Sequence, residues 1–466
     1  MTEANVTEPT RAIPVRDDAD VVVCGGGPAG CAAAIASARM GMKTVLLESH
    51  GFAGGAATAA AVNGIGGWQY DLDGRPLVSG IPLEIMREIA LLGGADGTYV
   101  KKLSTPVAKP DYHPGGLGCF WIQTHPEYFK AALDELLLRT GVRVLFHVNA
   151  VMPLMDGTSV CGVFIESKSG RECIRARIVI DCTGDGDIAA RAGAPFDIGR
   201  PGDGACQPMS MIYAAGNAEI NDLFSPEDGK PALEKARYLG AIARARERGE
   251  ITLNPNDIFC AATPIDDAHA GTRLVNYTRV QRKSAIDADE LTSAEIIGRR
   301  QVLEAIRFMR NYMRGCGDAY LITTPPSIGI RESRRIRGDY TLTGDDIQHA
   351  RRFPDAIARG IYCIDTHNPT EIGKPSRITV LDAPYDIPYR SLVPQQVENL
   401  LVAGRCISGD VTALSSYRIM SHCMAMGEAA GTAAGLAVKK SVMPRNLDAD
   451  ALRLELRRNG ANVGPE

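Results

Sequence analysis

An α/β fold, a parallel-sheet core interrupted by an inserted α+β domain, is what the amino-acid sequence predicts, and three observations predict it. Val21–Val23 form a β-branched run suited to a strand buried on both faces, followed by a glycine turn and an alanine-rich helical stretch. The pattern of an apolar strand entering a glycine-bearing turn recurs in "IVIDCTGDGD" (178–187) and "LLVAG" (400–404). Between these last two, residues 204–399 hold loop-rich segments with no second copy of the first glycine signature.

In chain order, the first 20 residues contain no apolar core, and the acidic "DDAD" directly precedes Val21, so the start reads as a short tail and not as a signal peptide. Val21–Ala38 are 18 uncharged residues, nearly a membrane span. Gly25, Gly26, Gly27 and Pro28 interrupt them, and alanine fills most of the remainder, which argues against a bilayer. The run splits into a strand at Val21–Val23, a turn at Gly25–Gly27, a helix opened by Pro28 and ending near Gly41, and a second strand at Lys43–Leu47.

This unit carries GxGxxG at Gly25, Gly27 and Gly30, with an acid, Glu48, ending the second strand. Gly25 permits the tight turn, Gly27 lets backbone approach a pyrophosphate, and Gly30 lets the helix pack on the sheet. The helix start at Pro28 and Ala29 presents free N–H groups and a positive dipole end to phosphates, while Glu48 accepts hydrogen bonds from a ribose diol. The reading is a Rossmann-like dinucleotide cradle. "GFAGGAAT" then places a second glycine turn just after Glu48, where Gly54, Gly55, Ala56, Ala57 and Thr58 offer bare backbone to a flat ring. A nicotinamide domain does not require that turn, so the dinucleotide is predicted to be FAD.

Tyr128–Arg139 read as an amphipathic helix and Val142–Val148 as a strand. Ile178–Asp187 read as a buried strand entering an acidic turn. As a calcium loop it would need a bidentate Glu where Ala192 stands, so no metal is predicted. Asp185–Asp187 suit a helix start. Near the C-terminus a helix is predicted from about Ser416 to Lys440, with Gly427, Gly431 and Gly435 on one face so that a neighbouring backbone can come close. Arg418, His422 and Glu428 exclude a membrane span there.

Composition narrows the partners. A chain of 466 residues with 45% apolar residues supports large cores, and 51 basic against 55 acidic residues give no general pull toward nucleic acid or anionic membrane. A small-molecule substrate fits better. Twelve cysteines with no CxxC pair suit a reducing cytoplasm, without disulfide framework or zinc site. The four arginines of "RESRRIRGDY" are balanced locally by Glu332 and point to salt bridging or an anionic substrate rather than nucleic acid.

The motifs "GGGPAG", "GFAGGAAT", "DCTGDGDIAARAGAPF", "GIRESRRIRGDYTLTGDDI", "IDTHNP" and the strand, loop and helix from Leu400 resemble the bacterial FAD-dependent oxidoreductases of the glutathione-reductase-like flavoprotein superfamily, related to thiazole-synthase and fumarate-reductase-type flavoproteins. The resemblance runs from about Ala19 to Lys440. It implies an FAD held in three chain segments, with Ala150 beside the adenine and Thr183 and Gly184 passing close to the dinucleotide; with no strong attachment motif at a His, Cys or Tyr, the FAD is expected to be noncovalent. In the loop from Gly404, Asp410 is implied to bind the ribityl and phosphate side, with Arg418 and backbone near Ser415 and Ser416 facing the pyrimidine ring. The domain layout follows: FAD-binding parts at 19–62, 124–203 and 400–440, a cap insertion at 63–123, a substrate domain at 204–399 and a tail at 441–466.

For chemistry, Arg418 is the candidate to stabilise negative charge or orient an anionic substrate, and His422, four residues along, is a candidate acid or base. An ion-pair role for Arg418 and a core role for His422 are the structural alternatives. Tyr277, Arg273, His269, His113, Trp121 and His367 are weaker candidates. The leading function is hydride transfer between a small organic substrate and flavin N5. A flavin monooxygenase using external NAD(P)H, a non-catalytic flavoprotein with structural FAD and an RNA-modifying flavoprotein compete with it. The electron donor or acceptor is unassigned, and a homo-oligomer stays open.

Overall fold

The computed structural model describes residues 8–71, 73–104, 119–218, 231–253, 260–264, 271–370 and 377–465. A seven-stranded sheet organises the first core. Its order is Arg143–Leu145, Thr44–Leu47, Val15–Cys24, Gly170–Asp181, Ser159–Ser167 and Asn149–Asp156, and Leu400–Val402 also pairs with Gly170–Asp181. That strand changes partner along its length. Residues 170–175 pair antiparallel with Ser159–Ser167, and Val179–Asp181 pair parallel with Leu400–Val402. Cys24, Leu47, Asp181 and Val402 lie in register, so four parallel strands end at one edge, the place where open α/β sheets bind ligands.

The first strand is longer than Val21–Val23, because the acidic flank continues it. Asp17 and Asp18 pair in register with Ile174 and Arg175, and their carboxylates meet Lys43 at 2.6 Å, Arg143, and Arg175 at 2.8 Å. The expected strand 142–148 stops at Leu145, since His147 takes a positive φ of 54° and the next strand begins at Asn149. The helix expected from Ser416 to Lys440 is two helices, Val411–Tyr417 and Met420–Lys440, separated where Ile419 becomes extended.

The glycine face of the second of these packs on the first helix, Pro28–Arg39. A Cβ on Gly427 would stand 2.0 Å from the Ala29 carbonyl oxygen, and one on Gly431 2.1 Å from that of Ala33. Glycine every fourth residue thus lets two backbones touch, binding the end of the chain to its beginning.

A second core is built on a four-stranded antiparallel sheet, order Cys260–Pro264, Arg273–Asn276, Tyr213–Gly216, Tyr320–Thr323, covered by the long helix Ala288–Tyr312. Met211, Tyr213, Val275, Tyr277, Phe308 and Met309 fill it. Residues from Ile336 to Val397 return to the first core, which they share with Leu452 and Leu456 of a helix, Ala449–Arg458, in the segment expected as a tail. No helix among the described residues is long and apolar enough to cross a membrane.

Candidate functional site

Three turns meet at the carboxyl edge of the parallel strands. Gly25, at φ 98°, lies so close to the neighbouring turn that a Cβ would stand 2.5 Å from the Cys182 oxygen. A Cβ on Gly30 would stand 1.8 Å from the Gly25 oxygen. Gly27 differs: the nearest atom to its would-be Cβ is 4.0 Å away. It opens the Pro28–Arg39 helix, which has no side-chain cap. Two glycines therefore serve packing, and the third leaves an open position beside free helix N–H groups, where a phosphate group fits.

Glu48 stands beside this cradle. Its Oε2 accepts from Gly26 N at 2.8 Å, and Oε1 accepts from His50 N at 2.8 Å and faces His50 Nδ1 at 2.9 Å. Burial alone would raise its pKa, but these donors hold it below the ordinary value, so it stays a charged acceptor. The second glycine turn backs onto the first: Gly54 N donates to Gly26 O at 2.7 Å, and a Cβ on Gly55 would stand 2.8 Å from Gly27 Cα. Ala56 is exposed, while Ala57 and Thr58 are buried, with Thr58 Oγ1 donating to Ala53 O at 2.8 Å. Part of that segment faces outward and part supports it. Ala150 is half-buried, two residues beyond Val148, whose N–H donates to Glu48 O at 3.0 Å.

The second strand end is organised by Asp181, the last residue of the Gly170–Asp181 strand. Its carboxylate accepts from Thr183 N at 3.0 Å, Thr183 Oγ1 at 2.7 Å and Ala189 N at 2.8 Å. Burial nevertheless pushes its pKa up. Thr183 Oγ1 in turn accepts from Asp187 N at 3.0 Å, and a Cβ on Gly184 would stand 2.9 Å from an Arg405 nitrogen. The helix here is Asp187–Arg191, so Asp185 lies before it and pairs with Arg405 at 2.8 Å. At the third strand end Gly404, φ 93°, rests against Ala29.

Asp410 is a helix cap. Its Oδ1 accepts from Ala413 N at 2.7 Å and its Oδ2 from Gly344 N at 2.9 Å, so both oxygens hold backbone. The side chains of Ser415 and Ser416 are likewise committed. Ser415 Oγ accepts from Gln207 Nε2 at 3.1 Å, and Ser416 Oγ lies 2.8 Å from the Tyr385 hydroxyl and donates to Tyr362 O at 2.5 Å. Both residues sit inside Val411–Tyr417, whose start Asp410 caps, so the uncapped helix start in this region is at Ile419–Ser421, where Met420–Lys440 begins.

The same break separates the two catalytic candidates. Arg418 ends one helix and His422 belongs to the next, so they do not share the face that an unbroken helix would give them. Arg418 reaches the seam between the cores: NH2 donates to Asp365 O at 3.0 Å, NH1 to Arg331 O at 3.4 Å, and its guanidinium lies 3.8 Å from the Asp365 carboxylate. His367 Nε2 meets that carboxylate at 3.1 Å. Burial would raise Asp365, yet His367, Arg418 and Arg331 hold it well below the carboxylate range. Burial and the neighbouring Arg331 push His367 down to about 3, so the imidazole is neutral near pH 7.

His422 is fully buried, wedged between Gly67 and Gly360, with its ring edge-on to Tyr385 at 6.2 Å. Neither ring nitrogen makes a hydrogen bond among the described residues, and burial pushes its pKa down to about 3 although backbone groups of Ser416 and Gly67 oppose the shift. It is a neutral core histidine in this structure. Of the weaker candidates, Tyr277 fills the second core, Arg273 begins a strand of its sheet, and Trp121 packs on Tyr362 at 5.6 Å. His113 and His269 lie outside the described residues.

Around "RESRRIRGDY", Arg335 and Glu332 form a buried pair at 2.6 Å, Arg334 meets Asp187 at 2.8 Å and Arg337 meets Asp197 at 2.6 Å. Local salt bridging is what these arginines do. Arg331, the first arginine of that stretch, is covered by the expectation of salt bridging or an anionic substrate contact, and Asp365 lies in "IDTHNP", but neither they nor Arg279 were named individually as site residues.

The family described as FAD dependent oxidoreductase matches residues 20–456. Solved structures similar to the chain include a geranylgeranyl bacteriochlorophyll reductase-like protein from Thermoplasma acidophilum, 12% identical over 95% of this chain and 84% of that one, TM-score 0.46. Others are the anhydrotetracycline hydroxylase OxyS from Streptomyces rimosus, 13% identical over 95% and 66%, TM-score 0.44, and the p-nitrophenol 4-monooxygenase PnpA from Pseudomonas putida, 11% identical over 91% and 82%, TM-score 0.44. With nearly the whole chain matched and a glycine junction whose open position and donors fit a flavin dinucleotide, the protein belongs to the FAD dependent oxidoreductase family and is an FAD-dependent enzyme.

Proposed function

We propose that this enzyme passes a hydride between a carbon of a small organic substrate and N5 of noncovalently held FAD. FAD supplies the two-electron chemistry when bound. The chain's own residues bind and orient. The Pro28–Arg39 helix start and Glu48 hold the dinucleotide, and the polar seam of Arg418, Asp365, His367 and Arg331 holds the substrate. The observation that carries this reading is that a half-buried, charged seam lies between the cores and next to the segment after the second glycine turn, where Ser327 N donates to Ala59 O at 3.0 Å.

Arg418 stands on Asp365 and on the Arg331 carbonyl, a fixed position from which it counters negative charge as electrons arrive. With no second GxGxxG and no CxxC in the sequence, an external acceptor or donor completes the cycle. The narrower kinship with thiazole-synthase and fumarate-reductase-type flavoproteins, work in the cytoplasm and homo-oligomer formation belong to the same proposal.

Anaerobic screening of the FAD-loaded protein against small alcohols, amines, acids and enoates, read as bleaching or recovery of the flavin band, tests it. A substrate that changes the flavin redox state, with reoxidation by oxygen or dye, is the expected result. Flavin turnover seen only when NADH and oxygen are consumed and an oxygen atom enters the product would instead establish a monooxygenase.

A further inference from the structure

Resting on the reading that the flavin ring lies at the seam, we propose that the substrate carries a flat aromatic ring and that Trp121, with Tyr362, forms the corner that receives it. Trp121 belongs to the Phe120–Gln123 strand, which pairs antiparallel with Gly64–Trp68. Its ring lies across that partner strand in space that two side chains would fill. A Cβ on Gly64 would stand 3.1 Å from Cε3 and 3.3 Å from Cζ3, and one on Gly66 3.0 Å from Cε2 and 3.1 Å from Cδ2 and Cζ2. Residues two apart on a strand share a face, so both missing side chains lie under the same indole. Tyr362, almost wholly buried, stands 5.6 Å from it with the two ring planes at 73°. Trp121 itself stays half-buried, although the strand already covers one side of it.

The corner is tied to the site at both ends. Gly66 O accepts from Ser421 Oγ at 2.7 Å, at the uncapped start of Met420–Lys440, and Tyr362 O accepts from Ser416 Oγ at 2.5 Å. Three residues beyond Tyr362, Asp365 O accepts from Arg418. Burial pushes the Tyr362 hydroxyl up, with Asp365 adding to the shift and Arg418 opposing it. Both charged groups of the seam therefore act on the corner, while the phenol stays neutral. A ring held here meets one aromatic plane and a second nearly at right angles to it. Offset stacking and edge-to-face contact are the two arrangements that aromatic pairs prefer. A cation is the other guest that aromatic faces attract, and Arg418 beside Tyr362 repels it. Tryptophan and tyrosine lose little side-chain freedom when a guest binds, since each turns about few bonds.

The test uses the wild-type protein, its FAD content fixed beforehand by releasing and measuring the flavin. Benzyl alcohol, benzylamine and benzoate are titrated against cyclohexylmethanol, cyclohexylmethylamine and cyclohexanecarboxylate while the flavin absorbance is followed. Each pair shares a head group and differs in whether its ring is flat. We expect the aromatic member of at least one pair to bind about fivefold or more tighter than its saturated partner. Trp121→Leu should bring that pair to within about twofold with FAD occupancy kept, and Trp121→Phe should retain part of the preference. Gly66→Ala keeps the tryptophan but sets a Cβ 3.0 Å from its Cε2, and should lower the preference in the same way. FAD-loaded protein that binds no aromatic member, or prefers none, overturns the inference and leaves the enzyme's flavin chemistry standing. A preference that survives Trp121→Leu, or survives Gly66→Ala should Trp121→Leu not fold, does the same. Loss of FAD from Trp121→Leu assigns the indole to the cofactor's own ring and also overturns it. Protein that takes up no FAD sinks both this inference and the reading beneath it.

Discussion

The glycine junction and the arginine seam are built from opposite materials. The junction consists of side chains that are missing: Gly25, Gly30, Gly427 and Gly431 let backbones approach to distances that any Cβ would forbid. The seam consists of the longest side chains available, with Arg279, Arg331 and Arg418 reaching from three separate segments to Ser210 and Asp365. A group common to many enzymes is gripped through backbone N–H groups, which every sequence possesses. A particular substrate must be recognised by side chains, and these come from wherever the fold brings them.

The largest effect should come from closing the junction where it is already tight. Gly30→Val puts a branched side chain where a single Cβ would stand 1.8 Å from the Gly25 oxygen, and we expect loss of about 3 kcal/mol or more, or no folded protein, in urea denaturation. At Gly27, three residues earlier, a Cβ has Gly55 Cα at 4.0 Å as its nearest neighbour. The stability of Gly27→Val without cofactor should stay within about 1 kcal/mol of wild type while FAD affinity falls at least about 100-fold, as read by flavin fluorescence titration. Equal FAD occupancy in Gly27→Val would erase the division between packing glycines and the cradle glycine.

The seam should respond in rate and not in cofactor retention. Arg418→Ala is expected to keep FAD bound and to slow substrate-driven flavin reduction about 100-fold in stopped flow. An unchanged rate would make Arg418 a scaffold that merely ties Asp365 to the end of Val411–Tyr417.

Legibility in the sequence follows the same division. GxGxxG, Glu48 and the glycine repeat at 427, 431 and 435 were readable because spacing alone states the backbone requirement. A cap and a ligand acid look alike in sequence, and at Asp410 the bonds to Ala413 N and Gly344 N show a cap that spacing did not state. The break at Ile419 was not legible, since residues 411–426 hold no glycine or proline to interrupt the helical pattern. That Arg279 and Arg331 come together at Ser210 was not legible, because they lie 52 positions apart.

A smaller effect sharpens the boundary from the junction side. Glu428 is 1% exposed on the glycine-faced helix, accepts from Ile81 N at 3.0 Å, and is pushed up to about 8 by burial. A folded pKa above the unfolded value of an acid means stability is full at low pH and is lost as pH rises from about 4.5 toward 8. Glu428→Gln keeps an acceptor for Ile81 and removes the titration. It should be more stable than wild type at pH 8, on the order of 2 kcal/mol, with the two converging near pH 4 in pH-dependent denaturation.

The smallest effect decides on which side of the boundary His422 falls. Lowered to about 3 in the folded protein, its imidazole binds no proton between pH 3 and 6.5, where the unfolded chain does. The unfolded state is therefore favoured as pH falls through that window, and the stability His422 leaves intact above pH 6.5 drains away below it. His422→Leu, similar in volume and free of unmet ring nitrogens, should match wild type within about 1 kcal/mol at pH 8 and exceed it by about 1 kcal/mol at pH 5. Flavin reduction should stay within about threefold of wild type, because a wedge between Gly67 and Gly360 exchanges no proton with substrate. A reduction rate that collapses in His422→Leu while the pH dependence of stability is unaltered would move the residue out of the core and into the seam, and would show that side-chain chemistry reaches one turn deeper into the glycine-built half than its burial implies.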